Sequence, residues 1–177
     1  MTAEEITKYL TELNDELCLM NIKGEVSLYG GAVMCLVYDA RAATKDVDAI
    51  FRPTSEIRKA IKIIAQRYDL HDDWMNDAVK GYWAKHQERI LFDLSDLKVF
   101  VPEPDYLLAM KAIAARAGTY DREDVKKLIE MLDIKSAEAV FDIVEKYYPK
   151  NQIKPQTQYF IEELFQYDDS GRDKAED

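Results

Sequence analysis

The sequence predicts an α+β fold: a small mixed β-sheet with its helices, followed by a C-terminal helical half. Three observations predict it. Residues 25–38 read as strand, glycine turn and helix in succession; residues 45–51 alternate with the period of a strand; and from Asp105 onward the apolar residues recur at helical spacing.

Thr2 and Glu5 form a capping-box pattern, and Ile6, Tyr9, Leu10, Leu13, Leu17 and Met20 follow on one helical stripe, with Gly24 expected to end that element. Glu25–Tyr29 is a short strand, Gly30 and Gly31 a tight turn, and Ala32–Tyr38 a helix packed close to it. In 45–51, Asp46, Asp48 and Ile50 fall on one face and Val47, Ala49 and Phe51 on the other. After Pro53, Thr54 or Ser55 is the expected N-cap of a helix carrying Ile57, Ala60, Ile61, Ile64 and Tyr68. Residues 74–83 suggest a short helix. Ile90–Leu94 and Leu97–Val101 pair through a turn at Ser95 and Asp96. Helices are expected over Asp105–Ala117, ended by Gly118, then Asp121–Leu132, Ser136–Tyr148 and Pro155–Tyr167. The expected division is a core over 1–103, a helical region packed on it over 104–167, and a disordered acidic tail over 168–177.

The 177 residues include 34 Asp and Glu against 24 Lys and Arg, a net charge of -10. That balance argues against broad electrostatic adhesion to nucleic acid, whose non-specific affinity comes from cations neutralising phosphates. No run approaches the roughly 18 to 20 apolar residues of a membrane span, and Glu4 and Glu5 are wrong for a signal peptide. A cytoplasmic protein without membrane contact is expected. Cys18 and Cys35 both lie in apolar runs, which suits small buried side chains rather than a disulfide or a thiol mechanism.

Two carboxylates on one strand face repel each other unless a cation lies between them, and Mg²⁺ is a natural guest for oxygen ligands. Asp46 and Asp48 are therefore candidate metal ligands. Gly30 and Gly31, at a strand-to-helix turn, let backbone N–H groups approach an anion such as a triphosphate. Together they describe one site for metal-assisted phosphoryl or nucleotidyl transfer.

Tyr29-Gly30-Gly31, Arg41 and Thr44-Lys45-Asp46-Val47-Asp48, with Phe51, resemble the Gly-Gly to Asp-x-Asp signature of the DNA polymerase beta-like nucleotidyltransferase superfamily. Residues 74–81, 97–102 and Tyr106–Lys111 resemble small bacterial nucleotidyltransferases related to abortive-infection type toxins. The resemblance, over roughly 25–132, implies an NTP substrate, Mg²⁺ with two ions in the full site, and transfer of NMP to a hydroxyl or phosphate. It leaves the acceptor open, with tRNA used by some toxin-type members. It also implies site roles for Lys111, Asp121 and Asp124. The third carboxylate usual in the superfamily has no counterpart in Leu97–Val101, so Asp77, Asp93 or Asp96 would have to serve. A non-catalytic nucleotide- or partner-binding member of the fold, as one component of a toxin-antitoxin pair with a cognate protein partner, is the alternative.

Each candidate also has a plainer reading. Arg41 and Lys45 are either surface charges or contacts to phosphate oxygens. Lys111 interrupts an apolar helix, where it either snorkels or meets a partner such as Asp124. Asp121 suits an N-cap and Asp124 the first turn of the same helix. Asn76, Asp77 and Lys80 share a face if their stretch is helical, either as NTP and metal contacts or as a surface ion pair. His71 and His86 have no triad or metal spacing, and Trp74 and Trp83 suit the core better than a base-stacking platform.

Overall fold

The computed structural model of the chain describes residues 1–114 and 121–169. These form two compact units: Met1–Trp83 with Gln87–Glu103, and Ala84–His86 with the chain from Pro104 onward.

The first unit opens with helix α1, Ala3–Leu19, followed by β1 (Gly24–Leu28), α2 (Gly30–Leu36), β2 (Val47–Arg52), α3 (Thr54–Tyr68), β3 (Met75–Asn76), a 3₁₀ turn (Ala78–Tyr82), β4 (Glu88–Asp93) and β5 (Leu97–Pro102). The predicted capping box closes α1: the Glu5 N–H donates to the Thr2 hydroxyl at 3.2 Å and the Thr2 N–H to the Glu5 carboxylate at 2.8 Å. Ile6, Tyr9, Leu10, Leu13 and Leu17 bury the predicted stripe. At roughly 1.5–3 kcal/mol for each large apolar side chain removed from water, that stripe outweighs the caps several-fold.

The sheet is mixed, with strand order β3-β2-β1-β5-β4. β1 runs antiparallel to β2 and parallel to β5; β3 is parallel to β2, and β4 antiparallel to β5. Ser27 lies opposite Ile50 on one side and Phe100 on the other, and Asp48 opposite Asn76. Alternation then sorts the faces. Val26, Leu28, Val47, Ala49, Phe51, Val99 and Val101 are buried on one, whereas Ser27, Asp48, Ile50 and Phe100 share the other and are half-buried. A methyl added at Gly24 would come within 2.7 Å of Leu17 Cδ1 and 3.2 Å of Ile57 Cδ1, so α1 and α3 press on the buried face.

Several sequence expectations change here. Gly24 does not end α1, because the chain reverses earlier at Asn21, whose φ is 56°, and Gly24 already belongs to β1. Neither Thr54 nor Ser55 caps α3: Pro53 is the N-cap and the Thr54 hydroxyl donates back to the Phe51 carbonyl at 3.2 Å. The stretch 74–83 is not one helix. Met75 and Asn76 pair with Val47 and Asp48 as a strand, which separates them from the 3₁₀ turn. Glu88 and Arg89 extend β4 beyond its predicted start. Cys35 is buried but Cys18 is exposed, with Asp96 pushing its thiol pKa up. Trp74 is buried and donates to the Ile61 carbonyl at 3.1 Å, while Trp83 is largely exposed.

The second unit contains α4 (Pro104–Ala114), α5 (Asp121–Met131), α6 (Ala137–Tyr147) and α7 (Pro155–Asp169). Ser136 caps α6 by accepting from the Ala139 N–H at 3.2 Å. Asp105 ties α4 to α6, accepting from Lys146 Nζ at 2.7 Å and from the Tyr147 hydroxyl at 2.6 Å. The buried Tyr106 ring stacks on His86 at 3.6 Å between centroids, and its hydroxyl accepts from the Ala84 N–H at 2.9 Å. Gly118, the side chain of Asp121 and residues 170–177 lie outside the described residues. Among those described, no helix is long and apolar enough to cross a membrane.

Candidate functional site

β1 ends at Leu28, and Tyr29 is the extended residue that hands the chain to α2. The Tyr29 N–H donates to the Asp48 carbonyl at 2.9 Å, prolonging the β1–β2 ladder by one residue. Gly30 then turns with φ +60°, the left-handed region that glycine enters without a Cβ penalty. The space so freed is taken: a Cβ on Gly30 would lie 2.5 Å from Asp48 Oδ2. The carboxylate of β2 is therefore laid against the bare backbone of the glycine turn.

Gly31 is used in the same way by the loop before β2. A Cβ there would collide with the Thr44 hydroxyl and come within 3.0 Å of Arg41 Nη1. Thr44 is buried, its N–H donates to the Met1 carbonyl at 2.9 Å, and its hydroxyl donates to the Asp46 carbonyl at 3.2 Å. Asp46, one residue before β2, is half-buried, and its Oδ2 accepts from Asn76 Nδ2 at 3.3 Å. Gly30, Gly31, Arg41, Asp46, Asp48 and Asn76 thus belong to one neighbourhood. Lys45 lies between Thr44 and Asp46 and is exposed.

Asp77 and Lys80 are engaged differently from Asn76. Asp77 Oδ2 meets Lys80 Nζ at 2.5 Å and Arg58 Nη2 at 2.8 Å, the Lys80 hydrogen bond being the main reason its carboxyl pKa is lowered. The three residues do not share a helical face, since Asn76 is in β3 and Lys80 in the 3₁₀ turn. Asp96 is in the β4–β5 turn, 2.9 Å from Lys23 Nζ, and Asp93 is exposed, 3.8 Å from Lys98 Nζ. In the second unit, Lys111 Nζ and Asp124 Oδ2 form an ion pair at 2.5 Å, the residues only 5% and 1% exposed. Burial without that partner would cost several kcal/mol for either charge.

Glu88 is the acid that sequence reasoning passed over. From β4 it reaches across β5 to β1, where its carboxylate accepts from the Tyr29 hydroxyl at 2.7 Å and the Ser27 hydroxyl at 3.0 Å. Tyr29 is fully buried and adjoins Gly30, so Glu88 is connected to the glycine turn through one side chain. The signal in the sequence is slight: an acid two residues before Ile90 in an alternating strand.

Among the described residues, no three histidine, cysteine or acidic side chains gather into a ready-made metal cluster. Two half-buried carboxylates beside a glycine turn nonetheless fit Mg²⁺, which keeps several waters and takes one or two protein carboxylates together with substrate phosphates. The donors are all oxygen, and a Cβ at Gly30 would displace one of them, the Asp48 carboxylate.

Sheet, glycine turn and paired carboxylates define a mixed α+β protein with an acidic site at a strand-to-helix junction. Residues 5–170 match the family described as "Nucleotidyltransferase of unknown function (DUF6036)", and the chain belongs to that family. No curated protein and no solved structure matches the chain.

Proposed function

We propose that the protein is a Mg²⁺-dependent nucleotidyltransferase that moves NMP from an NTP to a hydroxyl or phosphate of an acceptor. The observation that carries this reading is the seating of the Asp48 carboxylate against Gly30, with Asp46 held by Asn76 on the approach to β2. Asp46 and Asp48 would hold the cation, which when bound neutralises phosphate charge and favours attack by an oxygen nucleophile. Gly30 and Gly31 give their side-chain space to Asp48 and to Thr44 and Arg41, which brings an acid and a guanidinium to the turn, and Arg41 would offer that guanidinium to phosphate oxygens. The acceptor oxygen bonds to the α-phosphorus, pyrophosphate leaves with the broken P–O electron pair, and the proton of a hydroxyl acceptor passes to solvent water. Lys111, which the family resemblance gives a site role, is paired with Asp124 as a buried ion pair within the second unit.

The test is transfer of label from each α-labelled NTP in Mg²⁺, with RNA or cell extract as acceptor source, by the wild type and by the Asp46→Ala/Asp48→Ala variant. Label transfer and NTP binding by the wild type, both lost in the variant, are expected. Absence of both, or equality in the two proteins, would remove the enzymatic reading.

A further inference from the structure

The side chain of Asn76 has both ends committed. Its Oδ1 accepts from the Ala78 N–H at 3.1 Å, and its Nδ2 donates to Asp46 Oδ2 at 3.3 Å. The two bonds fix the amide's orientation, because a backbone N–H only donates and a carboxylate only accepts. Asn76 is also the register partner of Asp48 in the parallel β2–β3 pair, so it stands across from one carboxylate while bonded to the other. The neighbouring acid, Asp77, is turned to Arg58 and Lys80 instead.

We infer that Asn76 is a positioning residue for the metal site: its amide donor holds Asp46 Oδ2 and leaves Oδ1 as the oxygen presented to the cation. This rests on the metal reading above and gives Asn76 a role other than contact with the nucleotide. Its oxygen accepts from the Ala78 N–H, which turns the amide nitrogen, rather than the oxygen, toward Asp46. A neutral donor suits the place, because a third carboxylate there would face Asp46 and Asp48 at close range. Partners that orient metal ligands from behind are worth about 10- to 100-fold in metal affinity.

The experiment is a calorimetric or paramagnetic titration of Mn²⁺ at fixed pH, without nucleotide, into the wild type, Asn76→Ala and Asn76→Gln, with thermal midpoints recorded for all three. Expected are a loss of about 10-fold or more in Mn²⁺ affinity for Asn76→Ala, with a midpoint close to wild type. Asn76→Gln, which keeps an amide donor, should recover part of that loss; if Asn76→Ala does not fold, its affinity relative to wild type decides. Wild-type affinity in Asn76→Ala, or in Asn76→Gln an affinity above wild type that marks the amide as a direct ligand, overturns the inference and leaves the metal reading standing. A wild type that binds no Mn²⁺ overturns both.

Discussion

Gly30 and Asp48 occupy one another's space: the glycine at φ +60° has no Cβ, and Asp48 Oδ2 lies 2.5 Å from where that atom would be. No side chain can be added at Gly30 without moving the Asp48 carboxylate. The pairing is also long-range, since it depends on Tyr29 and Asp48 being opposite in the β1–β2 ladder.

Gly30→Ala should therefore do two kinds of damage. The left-handed backbone costs about 1–2 kcal/mol for an alanine, and the added methyl must displace the Asp48 carboxylate. We expect a fall of about 2–3 kcal/mol in urea unfolding free energy together with a loss of Mn²⁺ affinity. Gly81→Ala is the control, because nothing lies within 4 Å of a Cβ there, and its stability should stay within about 0.5 kcal/mol of wild type.

For Lys111 and Asp124 the direction depends on whether one partner or both are removed. Lys111→Met or Asp124→Leu alone leaves a buried charge without the partner it meets at 2.5 Å, and should cost about 3–5 kcal/mol. The double variant should regain most of that loss, because an apolar pair can replace a buried ion pair at little cost. Urea unfolding of the four proteins measures the coupling. A double variant as unstable as the singles would mean that the pair does not account for the burial of either group.

Much of this was legible in the sequence, and the exceptions have physical causes. The capping box, the α1 stripe, the strand–glycine–helix passage and the Asp46/Asp48 spacing are local patterns, set by residues a few positions apart. The residues around Asn76 are ambiguous in sequence, and only pairing with Val47 and Asp48 makes Met75–Asn76 a strand. Thr54 looked like a cap, but Pro53 had already taken that place. Glu88 was invisible for another reason: its partners are about sixty residues earlier and two strands away, so no spacing rule reaches them.

Acid should loosen the second unit through Asp105. Burial alone would raise its carboxyl pKa, but hydrogen bonds from Lys146, Tyr147 and the Tyr106 N–H outweigh burial and hold it below the ordinary value. A carboxyl depressed in the folded state stabilises above its unfolded pKa, about 3.9 for Asp, and that contribution disappears as pH falls through the lower folded value. Asp105→Asn should lower stability at pH 6 and make the decline between about pH 4 and pH 2 shallower than in the wild type. Urea midpoints across that range check it, and parallel curves for the two proteins would exclude Asp105 as a source of the acid sensitivity.

Glu88 is predicted to support the glycine turn from two strands away. It accepts hydrogen bonds from both Ser27 and the fully buried Tyr29, and Tyr29 is the residue that delivers the chain into Gly30. Hydrogen bonds to a charged acceptor are worth about 1.5–3 kcal/mol each where they are shielded, and less where the acid is exposed, as Glu88 is. Glu88→Ala should accordingly cost about 1–3 kcal/mol of stability, and Glu88→Gln less, since an amide oxygen still accepts from one hydroxyl. Tyr29→Phe removes the 2.7 Å bond from the other side, so the effects of Glu88→Ala and Tyr29→Phe should be less than additive. Urea unfolding of the single and double variants measures that coupling, and strict additivity would show that the Tyr29–Glu88 bond contributes nothing to holding the turn.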